Sequence, residues 1–174
     1  MRATRRLARR FDLVVLTGHA FQVFLTYADQ AAVLATIAHH LAPDGRLAFD
    51  SRNPSTQAWT NWTPDRSRRQ FQHPELGEIQ AWNDVSHDPT TDVVTYGTYY
   101  KIAGGERVYA SRSKIAFPSQ TQIASLMNGA GLTVQEWLGD WSGAAFVPTS
   151  PEIILVGGLK MGSFPELPSR LGNG

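Results

Sequence analysis

Two short clusters gather the side chains of this sequence that can move a proton, donate hydrogen bonds or hold charge: Thr17-Gly18-His19-Ala20-Phe21-Gln22 and Asp50-Ser51-Arg52-Asn53-Pro54. In the first, Gly18 lets backbone approach a ligand closely. His19 and Gln22 offer adjustable hydrogen bonding and Phe21 a flat apolar face. In the second, Asp50 and Arg52 stand two residues apart, so on extended chain they project to the same side. There they can hold each other as a structural ion pair or clamp a polar substrate. The bland alternative for the first cluster is a strand-end turn with a solvated histidine, but polar residues at the ends of two separate strands favour a site.

The remaining candidates carry less. His39 and His40 are adjacent and, on a helix, point about 100° apart, so they cannot chelate one metal from a shared face and read as surface residues. His73 with Glu75 and His87 with Asp88 fall in loops without a third placed ligand, and no metal site is expected. Tyr96, Thr98 and Tyr100 share one face of a strand, with Tyr99 opposite and Trp82 on its neighbour. Such a face can stack bases or line a pocket, or it is simply the core of its own layer. Trp141, after Asp140, can close its ring face over a cationic group. Asn61-Trp62-Thr63 matches a glycosylation acceptor but no secretory signal accompanies it, so it is discounted.

The elements that must position these residues follow from periodicity. Residues 11–17 form a β-branched-rich apolar run ended by Gly18, as a strand buried on both faces of a parallel sheet reads. After Asp29, the residues Leu34, Ile37, Ala38 and Leu41 make a helical stripe that Pro43-Asp44-Gly45 stops. Arg46 to Asp50 is a second strand, which completes a right-handed β-α-β unit. Both clusters then lie just past the carboxyl ends of parallel strands, where open α/β sheets bind ligands. Residues 51–77, with three prolines and two tryptophans, read as an irregular connection or lid. From Glu78 the pattern alternates through Glu78 to Ser86, Asp92 to Ile102 and Glu106 to Phe117, an antiparallel meander. Ser119 and Gln122 mark a capping box, and Ile123, Leu126, Met127 and Ala130 continue as a helix up to Gly131. Leu132 to Leu138 and Glu152 to Val156 read as the last strands, and the Gly-, Pro- and Ser-containing stretch from Gly157 as a mobile tail.

Composition narrows the function classes. A chain of 174 residues with net charge +1 and 42% hydrophobic residues is one ordinary globular unit. With no cysteine there is no disulfide, thiolate metal site or cysteine nucleophile. The balance of 16 basic and 15 acidic side chains provides no field that draws nucleic acid or an anionic membrane. The apolar stretches fall far short of the roughly 20 residues of a membrane span. Arg2, Arg5, Arg6, Arg9 and Arg10 precede the first strand without a cleavable small-residue site and read as a surface linker, which leaves a cytoplasmic protein as the default.

Phe11-Asp12-Leu13-Val14-Val15 with Thr17-Gly18-His19-Ala20-Phe21-Gln22, and Leu41-Ala42-Pro43-Asp44-Gly45-Arg46 with Asp50-Ser51-Arg52-Asn53-Pro54, resemble the fourth and fifth strands of class I S-adenosylmethionine-dependent methyltransferases. The helix from Ser119, its Gly129-Ala130-Gly131-Leu132 exit and Pro151-Glu152-Ile153-Ile154-Leu155-Val156 resemble the closing helix and last strand of bacterial members that carry a β-rich insertion. The resemblance covers residues 11–157. It implies an α/β fold: a partial Rossmann-like, doubly wound methyltransferase sheet with an inserted antiparallel β meander. The implied organisation is a basic linker over 1–10, a β-α-β part over 11–54, lid and insertion over 55–117, closing helix and strands over 118–158, and a flexible tail over 159–174.

It further implies S-adenosylmethionine as cofactor and a small-molecule methyl acceptor. Thr17, Gly18, His19 and Phe21 fall on the methionine and sulfonium side of that cofactor, His19 being the general base. Asp50, Arg52 and Trp141 fall on the acceptor. The departure is as definite as the match. The family's glycine-rich loop after its first strand and the acid after its second have no counterpart, and the G-x-G at Gly129 and Gly131 caps a helix ahead of a strand. By this reading Met1 corresponds to a position just past the family's third strand. That leaves a second expectation, a non-catalytic remnant or assembly module whose first strand pairs with another copy or with an N-terminal partner chain.

Overall fold

A computed structural model of the chain describes residues 7–160. Arg2, Arg5 and Arg6 of the basic linker, and residues 161–174 of the tail, lie outside the described residues. The apolar run forms β1 (Phe11–Leu16), and after one 3-10 turn over Ala20–Val23 the chain enters helix α1 (Tyr27–His40). Thr26 caps that helix: its Oγ1 accepts from the Asp29 N–H at 3.1 Å and donates to the Asp29 carboxylate at 2.7 Å. Strand β2 (Leu41–Arg52) starts where α1 stops, so Pro43-Asp44-Gly45 ends the helix but belongs to the strand. The irregular residues are absorbed as a register shift against β1 between Phe11 and Leu13. From there β1 and β2 pair in parallel, Leu13 with Arg46 through Leu16 with Phe49.

Two 3-10 turns, Pro54–Thr56 and Ala58–Asn61, and the single-turn helix α2 (Pro64–Ser67) lead into the inserted layer. Its strands β3 (Arg69–His73), β4 (Gly77–Asp88), β5 (Val93–Ile102) and β6 (Val108–Ala116) pair antiparallel in that order. Helix α3 (Gln120–Gly129) follows, capped by Ser119, whose Oγ accepts from the Gln122 N–H at 3.2 Å. Strands β7 (Leu132–Leu138) and β8 (Glu152–Leu159) return to the first sheet, which runs β1-β2-β8-β7, with β8 antiparallel to both neighbours. This is a mixed α/β, Rossmann-like sheet carrying an inserted β meander.

The main core joins Leu34 and Ile37 of α1, Leu47 and Phe49 of β2, Ile123, Leu126 and Met127 of α3, and Ile153 and Leu155 of β8. The two helices share one face of the sheet and are tied to each other by the Gln122 side-chain amide, which donates to Gln30 Oε1 at 3.0 Å. A smaller core of Trp59, Val94, Ile115 and Phe117 holds the insertion together. No described helix is long and apolar enough to cross a membrane.

Four expectations change. Strand β1 is not buried on both faces: within the described residues it has a neighbour on one side only, and Leu13 and Val15 are 61% and 52% exposed. The meander has a fourth strand, β3, whose residues Arg-Gln-Phe-Gln-His are mostly exposed and so lack the apolar alternation that marks a half-buried strand. His40 is buried, not on the surface. Its Nε2 accepts the Leu7 N–H at 3.2 Å because the chain ahead of β1 folds back over the end of α1. Gly157, Gly158 and Leu159 are strand and not tail.

Candidate active site

At the carboxyl end of β1, Gly18 (φ 70°) and His19 (φ 60°, ψ 26°) both take the left-handed conformation. For a histidine this costs about 1–2 kcal/mol. The turn is held by Asp50 at the end of β2, whose two carboxylate oxygens accept the His19 N–H at 3.2 and 3.1 Å. Asp50 is only 2% exposed, so this backbone donor answers part of the cost of burying its charge. The imidazole then reaches Glu152, the first residue of β8: Nε2 lies 2.9 Å from Oε2, and 3.4 Å from Asp50 Oδ2. Ionised carboxylates only accept. A proton on Nε2 can therefore be donated to either acid.

Arg52 shares the face of β2 that carries Asp50, and pairs in register with Glu152 across the sheet. Even so, neither acid holds it. Its Nη1 donates to Gln22 Oε1 at 3.1 Å and its guanidinium lies over the Trp62 ring, 5.2 Å from the centroid. Gln22 is fully buried and its amide donates to the Ala116 carbonyl at 2.8 Å, which fastens the end of β6 to the turn after β1. Asn53 fastens the other side, its Nδ2 donating to the Pro148 and Ser150 carbonyls at 2.9 and 2.8 Å and so positioning the start of β8.

Between these anchors lies a cavity of about 350 Å³ lined by Gly18, His19, Ala20, Val23, Arg52, Trp62, Asn83, Tyr96 and Ile115. Two others, of about 370 and 390 Å³, lie against Leu25, Thr26 and the β4–β5 turn, and on the exposed side of the insertion around Leu76, Tyr100 and Tyr109. Size does not separate the three. Only the first sits at the carboxyl ends of parallel strands beside charged side chains, the usual place for a ligand on such a sheet.

Of the residues marked by the sequence, Gly18, His19, Asp50 and Arg52 come together here. Thr17 is exposed just before Gly18. Phe21 turns the other way: it is fully buried and stacked on Phe49, ring centroids 4.5 Å apart, so its face serves the core. Trp141 is 58% exposed in the loop after β7 and does not line this cavity. Asp50 and Arg52 share a face, yet their charged groups have separate partners. Glu152, Trp62 and Asn83 were not legible as site residues, because each arrives from a distant segment; Tyr96 was visible only as part of an aromatic face.

His19, Asp50 and Glu152 present ligand atoms within 4.8 Å of one another, one imidazole and two carboxylates that could also hold a divalent cation. The space above Gly18 is open, since a Cβ added there meets nothing within 4 Å. That opening and the polar lining fit the amino-acid end of a nucleoside-linked ligand. Among the described residues no glycine-rich strand-loop-helix is present to take its nucleoside half.

No family model and no curated protein matches the sequence. Solved structures do. The chain superposes on the CcbJ methyltransferase of Streptomyces caelestis with a TM-score of 0.72 at 16% identity, covering 87% of this chain and 58% of that one. A S-adenosylmethionine-dependent methyltransferase of Clostridium acetobutylicum gives 0.69 at 13% identity, over 89% and 61%. CalS10, an amino pentose methyltransferase of Micromonospora echinaspora solved with S-adenosylmethionine bound, gives 0.65 at 17% identity, over 90% and 61%. The chain thus spans less than two thirds of the length of these structures. Their likeness, with the strand order and the antiparallel β8, gives this chain the fold of the class I S-adenosylmethionine-dependent methyltransferases.

Proposed function

We propose that the chain serves methyl transfer from S-adenosylmethionine to a small-molecule acceptor in the cytoplasm, with Gly18 and His19 on the methionine and sulfonium side and the cavity beyond them taking the acceptor. The observation that carries this reading is His19, a single imidazole at the end of β1 that lines the cavity and is held at Nε2 by Glu152. The cofactor, when bound, supplies a sulfonium methyl that a lone pair attacks in line as the carbon–sulfur bond breaks toward sulfur. The protein's part is orientation and proton removal. His19 takes the acceptor's proton, Glu152 and Asp50 steady the resulting imidazolium, and Arg52 orients the acceptor.

Calorimetric titration of the 174-residue chain with S-adenosylmethionine and its demethylated product tests this. Saturable binding that Gly18→Val weakens is expected, the added side chain being forced into a φ of 70° in the ligand's space. Absence of binding by either compound overturns the reading. His19→Ala is expected to weaken cofactor binding and to abolish turnover, and a variant with both unchanged removes His19 from the site.

One observation favours a second reading, an assembly module. β1 leaves one edge unpaired among the described residues, beside exposed Leu13 and Val15. Pairing with a second copy of the chain would cover that edge.

A further inference from the structure

Arg52 is the one charged group of the cavity whose charge nothing answers. The two acids nearest on its sheet, Asp50 and Glu152, both turn to His19, and among the described residues Arg52 has no ion pair. Among the described residues one of its five N–H donors is used, on the neutral Gln22 amide. The guanidinium carbon lies 5.2 Å from the Trp62 ring centroid, a cation–π contact that uses none of the remaining N–H donors. Gln22 cannot swing away to take more of it, because its own amide is spent on the Ala116 carbonyl. Around it the cavity has an aromatic and apolar side, where Trp62 and Tyr96 meet edge to face at 5.6 Å beside Ile115, Val23 and Ala20, and a polar side formed by His19 and Asn83.

A half-buried guanidinium beside an indole, with donors to spare and no carboxylate of its own, is half of a bidentate pair. We propose that the acceptor site takes a small molecule with an oxyanion, a carboxylate or a phosphate, which Arg52 grips with its remaining donors while a ring of the same molecule lies against Trp62 and Tyr96. This assignment rests on the reading of the cavity as the acceptor site, but it concerns anion recognition and not the methyl donor. It also gives the in-register pair Arg52 and Glu152 a reason for staying apart. Were Glu152 to close on Arg52, the anion would have no place and His19 would lose its support.

The test is direct binding of benzoate, phenyl phosphate and the neutral benzamide to the full 174-residue chain, without methyl donor, followed by the side-chain NMR signals of Arg52 and the Trp62 indole. At least one of the two anions is expected to saturate and to move both signals, and to bind about tenfold or more tightly than benzamide. Whichever anion is tighter identifies a carboxylate or a phosphate. Arg52→Gln is expected to erase the preference for the anion, and Arg52→Lys to restore part of it, because an ammonium keeps the charge but not the fork. Equal binding of all three compounds, no binding by any of them, or an anion preference that survives Arg52→Gln in a variant with unchanged thermal unfolding overturns the proposal. If the anions bind as expected but S-adenosylmethionine does not, the methyl-donor reading fails and the anion site stands.

Discussion

His19 holds a left-handed conformation next to a glycine that holds another, and both are stabilised by one buried carboxylate that accepts the same N–H twice. A side chain placed this way has few alternative positions, which suits a proton acceptor. Asp140, in the loop after β7, is a contrasting case. The Ser142 hydroxyl, then the Ser142 and Ala144 amides, donate to it and hold its carboxyl below the ordinary aspartate value. A carboxyl with a lowered folded value stabilises its turn above the unfolded value, and that contribution disappears as pH falls through the lowered one. The Ser142 and Ala144 amide signals are therefore expected to shift with a midpoint below that of a free aspartate, and Asp140→Asn should remove the transition. An unchanged midpoint in the variant would discard the assignment. The sequence shows His19, Asp50 and Arg52 because they follow apolar runs. It does not show Glu152, whose contact with His19 spans 133 positions and depends on β8 lying antiparallel beside β2.

Strands β7 and β8 meet closely at Gly157. A Cβ on Gly157 would come within 2.4 Å of the Thr133 carbonyl oxygen, a backbone atom that cannot move aside as a flexible side chain would. Gly157→Ala is expected to lower unfolding stability by about 1–3 kcal/mol, seen as a reduced denaturant midpoint at unchanged slope. An unaltered midpoint would mean that the two strands can part there. The β-α-β opening, the long meander strands and both capped helices are legible because period, caps and breakers agree. What is not legible is set by neighbours. Phe-Asp-Leu-Val-Val-Leu reads the same in a sheet interior as at an edge, and β3 is made by pairing with β4 instead of by its own composition. Phe21 carries the same ambiguity at one residue: an aromatic after a strand serves ligand or core, and Phe49 opposite it decides for the core.

For the whole molecule the exposed side of β1 matters most. Its unpaired edge and apolar face predict concentration-dependent self-association in sedimentation velocity, and Val15→Lys, which places a charge beside that edge, is expected to shift the population to monomer. A wild-type chain that stays monomeric at every concentration rules out the assembly reading. In the inserted layer, β6 ends at Ala116 and α3 begins at Gln120, so only Phe117, Pro118 and Ser119 separate the insertion from a helix of the main core. Phe117 is buried against Trp59, and the Ala116 carbonyl is held by Gln22. The meander is consequently a fixed wall. The turns over 54–62 are pinned to that wall through Trp59 and Trp62, so the surroundings of Arg52 are carried as one piece with the insertion.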